Sequence, residues 1–292
     1  MYNQQSMANL ISLGRLIDTS FDLYKKYWKE FLGISLWLIV ASLPRLVGNL
    51  LSPLGAGPTV TFGDWVSFGF SLIGSVVLAV ATVWVFISLI QLADTRAKGK
   101  SPDFKAINKQ SWKLFLPYIV VSLLALGIIA GVSLLAAPGI ALLTASSLQE
   151  NFSGGLAALG IVLFFVGGLA AFVLLVKSSL ELGLAQFALV VDGKRGLAAI
   201  KTCFSLINGR WWATFVRYVA PKLLYIFVIV LLQFLIPAAL ALLAVVLAPT
   251  STILTKLVYV AAYLFTISLS AVSTPLIVVT DYVLYDSLRA SK

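Results

Sequence analysis

Lys177 and Glu181 stand four residues apart inside a long apolar segment, and this spacing places both on one face of an α-helix. If Asp192 ends that segment, Glu181 lies about 16 Å and Lys177 about 22 Å from its end. Charges at such depth in hydrocarbon cost at least about 2.5 kcal/mol each, so we expect both to face a bundle interior and to pair. This predicts a polar site for a substrate or a proton. The alternatives are a structural ion pair, or a helix that begins lower and leaves both charges at the interface.

Two further groups of polar residues invite a chemical interpretation. A ring of carboxylates from Asp94, Asp192 and Asp281 would hold a metal ion, but each aspartate follows an apolar segment and is expected to end a span in water. A run of hydroxyls would line a polar pathway, or would bond the carbonyls of its own helix. These hydroxyls belong to Thr266, Ser268, Ser270, Ser273 and Thr274.

Several kinds of catalytic chemistry lack their usual residues. The chain has no histidine and a single cysteine, Cys203, so it has no Ser–His or Cys–His nucleophile pair and no disulfide within the chain. No glycine-rich phosphate loop, zinc-type spacing or nucleophile elbow is present. We therefore predict that the protein is not an enzyme and that it holds no cofactor and no metal.

Long apolar blocks must position these residues. Of the 292 residues, 60% are hydrophobic and 11% are charged, and the mean hydropathy is +1.02. A soluble chain is closer to half apolar and a quarter charged. Since a bilayer crossing needs about 20 apolar residues, we predict one all-α integral membrane domain over 1–292 with six transmembrane helices. The predicted spans are 31–51, 65–92, 114–137, 156–191, 223–248 and 253–284. The segment before residue 31 is charged and amphipathic, so we expect no cleaved signal peptide.

The basic residues predict the orientation. The net charge is +10, and all but three of the 21 lysines and arginines fall on one side of the predicted topology. The loops 52–64, 138–155 and 249–252 contain none. The positive-inside rule then places both termini in the cytoplasm of a multi-pass protein of the cell (inner) membrane. The exceptions are Lys177 and two residues near outer span ends, Arg45 and Lys256, which we expect to snorkel. Such flanking charge favours membrane lipids, including anionic headgroups, as partners, and not nucleic acid.

The chain also contains a threefold internal repeat, with units at about 9–94, 101–192 and 196–285. In each unit an aliphatic residue is followed five positions later by a tryptophan and three positions after that by a phenylalanine. The tryptophans, Trp28, Trp112 and Trp212, are predicted interfacial anchors. Each unit reads as an interfacial amphipathic helix followed by a transmembrane hairpin, which makes the three repeats parallel.

The apolar stripes of these amphipathic helices run directly into the spans. They would lie in the interface, with packing on protein as the alternative. The second helix is short and is expected to begin at Ser101 as N-cap. The first stripe consists of Leu10, Leu13, Ile17, Phe21, Tyr24, Trp28 and Phe31, and the third of Leu197, Ile200, Phe204, Ile207 and Trp211.

Three segments give the chain a family resemblance: the opening at 16–28, the block at 189–201 and the ending at 284–289. They resemble the glycerophosphoryl diester phosphodiesterase membrane-domain family of bacterial six-span modules. The resemblance implies the same topology. It does not imply phosphodiesterase activity, because in that family the chemistry belongs to a separate soluble barrel domain.

Two functions follow from these observations. The first is a non-enzymatic accessory or scaffold module that binds lipid or a partner membrane protein. The alternative is a small transporter or lipid-translocating protein with its polar site at Lys177 and Glu181. The repeat and the two intramembrane charges favour the second, whereas the missing catalytic groups and the basic amphipathic helices favour the first.

Overall fold

The computed structural model describes residues 10–51, 62–148, 154–247 and 252–291, and all regular structure in these ranges is helical. Ten α-helices follow one another in these ranges, with a 3₁₀ turn at Leu134–Ala136 between the fifth and the sixth. They are α1 (Leu13–Lys26), α2 (Trp28–Ser35), α3 (Trp37–Leu51), α4 (Phe62–Ala97), α5 (Phe104–Ser133), α6 (Ala137–Ser147), α7 (Gly154–Asp192), α8 (Leu197–Ile207), α9 (Trp211–Leu247) and α10 (Thr252–Ala290).

Six helical stretches are long and apolar enough to cross a membrane, which confirms the prediction of an all-α protein with six spans. They are Trp28–Leu51, Phe62–Ala97, Phe104–Ser147, Gly154–Asp192, Trp211–Val246 and Ile253–Ala290. Helices α4, α7 and α10 have 36, 39 and 39 residues and are longer than the roughly 20 residues that a crossing needs.

Two local expectations about helix ends were wrong. Much of the predicted loop 138–155 is helix α6, since Pro138 lies at the start of that helix, where proline is tolerated. The N-cap of α5 is Asp103 and not Ser101. The Asp103 carbonyl accepts the N–H of Ile107, and its carboxylate accepts the N–H groups of Lys105 and Ala106 at 2.9 and 3.3 Å.

The prolines inside the spans do not end their helices. Pro44 lies within α3, Pro117 within α5, Pro221 and Pro237 within α9, and Pro275 within α10. Each proline removes one backbone hydrogen bond, a loss that membrane helices tolerate when neighbouring groups satisfy the freed carbonyl.

The chain forms two compact units, Met1–Phe115 with Trp212–Lys292 and, separately, Leu116–Trp211. In the first unit α3 packs closely on α4, and a Cβ added at Gly74 would overlap the backbone of Arg45. In the second unit α6 packs on α7, and a Cβ at Gly167 would overlap the carbonyl oxygen of Leu135. Small residues let helix backbones approach this closely.

In the first unit, most side chains in the C-terminal parts of α4 and α10 are buried. The buried side chains of α4 include Val85, Ile87, Leu89, Ile90, Leu92 and Ala93, and those of α10 include Val278, Val279, Tyr282, Leu284, Tyr285 and Leu288. Helix α1 packs on α10, and the hydroxyl of Tyr24 donates to the carbonyl of Val272 at 3.1 Å. Leu16 and Ser20 form the buried face of α1, whereas Phe21 of the predicted stripe is half exposed.

In the second unit, α8 packs on the last turns of α7. The residues of α8 that are buried are Ala199, Ile200, Cys203, Leu206 and Ile207. Leu197 and Phe204 of the predicted stripe remain 54% and 41% exposed. Both amphipathic helices therefore pack on protein through one face and leave adjacent apolar side chains uncovered.

Candidate functional site

Lys177 and Glu181 of α7 differ in burial. Glu181 is only 4% exposed, whereas the Lys177 side chain is exposed. Within the described ranges the two form no ion pair, and Oε2 of Glu181 has no hydrogen-bond partner. The expectation that both would face the interior and pair was wrong.

The difference arises from where α8 ends along α7. Helix α8 runs back beside the last turns of α7, and after it the indole N–H of Trp211 donates to the Lys177 carbonyl at 3.2 Å. Lys177 is thus level with Trp211, the first residue of the fifth span, and the part of α7 that follows lies beside α8. Of the alternatives for this pair, the structural ion pair is not formed in the described residues.

Cys203 lies close to the same carboxylate. Burial, and to a lesser degree the negative charges of Asp192 and Glu181, raise the pKa of its thiol to about 12. The thiol is therefore neutral near pH 7. Because the thiolate is the reactive form, this cysteine is a packing residue and not a nucleophile.

The three predicted anchors all project outward. Trp28, Trp112 and Trp212 are 48%, 54% and 73% exposed. The rings of Trp112 and Phe115 lie 5.4 Å apart and those of Trp212 and Phe215 lie 6.0 Å apart, so these two indoles are braced by the phenylalanine of their own repeat frame. Trp28 and Trp212 lie at the starts of apolar stretches and Trp112 lies eight residues inside one, and exposed indoles near span ends are what aromatic belts use.

The three aspartates do not share one environment. Asp94 accepts hydrogen bonds from Lys98 at 2.6 Å and from the hydroxyl of Tyr282 at 3.0 Å. Asp281 does not end a span in water: α10 continues to Ala290, and Asp281 pairs with Lys222 at 2.9 Å with its side chain 13% exposed. In the part of the chain that the structure describes, no group of three or more His, Cys, Asp or Glu residues could hold a metal ion.

The hydroxyls of α10 serve mainly their own helix. Thr266, Ser270 and Thr274 each donate to the carbonyl four residues earlier, and Ser273 donates to the carbonyl three residues earlier. Ser270 also accepts a hydrogen bond from Gln233 of α9 at 3.3 Å. This is the intrahelical alternative to a polar pathway, together with one link between helices.

Lys256, which we expected to snorkel, lies near the other end of α10 and binds the end of α3. Its ammonium group donates to the carbonyl of Leu50 at 2.7 Å, in the last turn of α3. A lysine at this position satisfies a carbonyl that the helix itself leaves unpaired.

The first unit contains a groove that sequence reasoning missed. It has a volume of about 960 Å³ and lies between α2, α3, α4 and the start of α5. Its lining changes from mostly aliphatic side chains at one end to charged, amide and indole groups at the other. The residues of this groove are Lys29, Glu30, Gly33, Ile34, Trp37, Val40, Ala41, Val76, Val77, Val80, Ala81, Trp84, Ser88, Phe104, Ile107, Asn108 and Trp112.

Hydrogen bonds explain why the groove stays open between α4 and α5. Trp84 donates to Asn108 at 3.1 Å, and Ser88 and Gln91 bond Ser111 at 2.8 and 3.2 Å. These contacts hold the two helices at side-chain distance instead of in close backbone contact. A signal was present in the sequence, because polar residues face each other across two helices in 84–91 and 108–111, but their pairing depends on helix register.

Comparisons with known proteins found no match: no family model, no curated protein and no solved structure is similar to this chain.

Proposed function

We propose that this protein is a non-enzymatic accessory or scaffold module of the cell (inner) membrane, with both termini cytoplasmic, that binds anionic lipid or a partner membrane protein. The observation that carries the proposal is the placement of exposed basic side chains beside the exposed Trp28 and Trp112. Lys29 follows Trp28, and Lys109 and Lys113 flank Trp112; all three lysines are exposed. Each such cation near an anionic membrane surface contributes about 1 kcal/mol of attraction.

Some charged side chains pair with each other within the described part of the protein, whereas the lysines at the start of α5 do not. Glu30 bonds Arg96, and Lys98 pairs with Asp94. By contrast, the described residues contain no carboxylate partner for Lys105, Lys109 or Lys113. These lysines remain available to lipid phosphates or to an acidic partner.

The repeat supports a shared architecture for this basic surface. In the first compact unit, α1 packs on α10, and the start of α5 is hydrogen-bonded to α4. In the second compact unit, α8 packs on α7. Each segment before a span thus contacts the C-terminal part of the second helix of a hairpin. This supports three parallel units, each consisting of an amphipathic segment and a transmembrane hairpin.

Lipid enrichment tests the proposal. The protein is extracted in nanodiscs from a membrane of mixed lipids, and the retained anionic fraction is measured by mass spectrometry. We expect enrichment of anionic over zwitterionic lipid, and a loss of most of this enrichment in a Lys105→Gln, Lys109→Gln, Lys113→Gln triple variant. Arg45→Gln, on the opposite side of the predicted topology, is the control. A bulk-like lipid composition around the wild type, with no membrane partner found by cross-linking, or robust solute flux in vesicles, would reject the proposal.

Glu181 favours a second candidate, a small transporter or lipid-translocating protein. A buried carboxylate oxygen without a hydrogen-bond partner, such as Oε2 of Glu181, is uncommon and is a frequent mark of function. This candidate predicts that Lys177→Ala or Glu181→Ala abolishes flux in reconstituted vesicles while the protein stays folded. Normal flux in both variants would show that the site is not used.

A further inference from the structure

The groove of the first unit has the lining of a site for an amphipathic ligand. From Val76 to Ser88 it follows α4 for about 18 Å, at a rise of 1.5 Å per residue. The walls along most of this length are small and aliphatic, with Val76, Val80 and Ala81 on α4 and Ala41 on α3. A long apolar groove of this kind fits an extended hydrocarbon chain.

The polar end of the groove is arranged to receive an oxyanion. Asn108 accepts the indole N–H of Trp84 through its side-chain oxygen, so its amide NH₂ group can donate to a ligand. Lys29 lines the same end, and its ammonium group lies 5.9 Å from the centroid of the Trp28 ring. Two donors, one of them charged, thus stand where the apolar walls stop.

The net charge at this end is positive. Glu30 also lines the groove, but both of its carboxylate oxygens are held by the guanidinium group of Arg96. No carboxylate in the described ranges forms an ion pair with Lys29. The free charge is therefore the lysine, which complements a negatively charged headgroup.

We propose that the groove binds one glycerophospholipid with an anionic headgroup, its phosphate on Lys29 and Asn108 and one acyl chain along Val76 and Val80. The proposal rests on the lipid-binding function proposed above and names its site. In a bilayer the acyl chain has an apolar environment both inside and outside the groove, so the headgroup contacts decide which lipid is bound.

A binding titration with matched variants tests the site. The delipidated protein in detergent is titrated with short-chain phosphatidylglycerol, and saturable binding is measured by native mass spectrometry. Ala81→Trp fills the groove. Ala79→Trp is the control, because it adds the same side chain to the same helix at an exposed residue that does not line the groove. We expect Ala81→Trp to lose the saturable site and Ala79→Trp to keep it. Equal binding by these two variants would overturn the proposal.

The charge is tested separately, by a change that leaves the groove open. Lys29→Gln should weaken phosphatidylglycerol binding about tenfold, as loss of a charged hydrogen bond does, whereas Lys25→Gln, on the exposed end of α1, should not. Phosphatidylcholine should bind the wild type more weakly. Binding of glycerol phosphate as tightly as phosphatidylglycerol would show a site for a free phosphate and reject the lipid.

The failure of this site can be distinguished from the failure of the proposed function. If anionic lipid is enriched around the wild type and around Ala81→Trp alike, the groove is wrong while a lipid-binding surface stands. If the wild type shows no preference for anionic lipid in nanodiscs, lipid binding itself is rejected, and with it the groove.

Discussion

The largest loss of stability expected from a single substitution is at the buried pair of Lys222 and Asp281. Their side chains are 16% and 13% exposed and their charged atoms lie 2.9 Å apart, and this pair helps to attach α9 to α10. Removing one partner of a buried pair leaves the other charge uncompensated, at a cost of about 3–5 kcal/mol. Lys222→Met and Asp281→Leu should each lower the melting temperature in detergent strongly, and the double variant should recover most of the loss. A double variant as unstable as the sum of both single changes would contradict this.

Cys203 supplies a second prediction at the residue scale. Its pKa of about 12, raised first by burial, leaves almost no thiolate at pH 8. A maleimide should therefore react with the wild type only after denaturation. In a Cys203→Ala background, Lys201→Cys on the exposed face of the same helix should react within minutes. Rapid labelling of native Cys203 would show that α8 does not pack as described.

At the scale of the element, the packing of α3 on α4 depends on glycine. A Cβ at Gly74 would overlap the backbone of Arg45, whereas a Cβ at Gly69 on the same helix would meet nothing within 4 Å. Gly69→Ala should be neutral or stabilising by up to about 1 kcal/mol, because alanine is the better helix former. Gly74→Ala should destabilise by about 1–3 kcal/mol, because the backbone of Arg45 cannot move away cheaply. Thermal unfolding of both variants in one detergent measures the difference, and equal stabilities would contradict it.

The length of the helices shows what hydropathy can and cannot predict. Six apolar blocks predicted six spans, because lipid and a protein interior both demand apolar side chains. For the same reason, hydropathy did not separate the part of α7 that lies beside α8 from the part that could cross a bilayer: Leu184, Leu189 and Val190 are as apolar as Val162 or Phe172, but the first three are buried and the last two exposed. Glu181 is buried and Lys177 is exposed because α8 packs on only part of α7. This depends on tertiary contacts, which hydropathy does not describe.

At the scale of the whole molecule, the repeat frame predicted which residues project outward more reliably than which residues pair. Trp28, Trp112 and Trp212 are all exposed, as anchors should be. Asp281 was assigned to the end of a span, yet it is paired inside, while Asp286 is exposed and follows the buried Tyr285. Single-residue matches in a degenerate repeat do not determine helix register, and the groove between α4 and α5 depends on that register.

The proposed topology consists of apolar helices that cross a bilayer with nearly all cations on one side. Cysteine accessibility in a Cys203→Ala background tests this most directly. Lys26→Cys, Lys105→Cys and Lys201→Cys, and Gly57→Cys at a predicted hairpin tip outside the described residues, are treated with an impermeant maleimide in right-side-out spheroplasts. We expect only the Gly57→Cys protein to be labelled, and the other three to require permeabilisation of the membrane. Labelling of Lys105→Cys from the same side as Gly57→Cys would contradict the account.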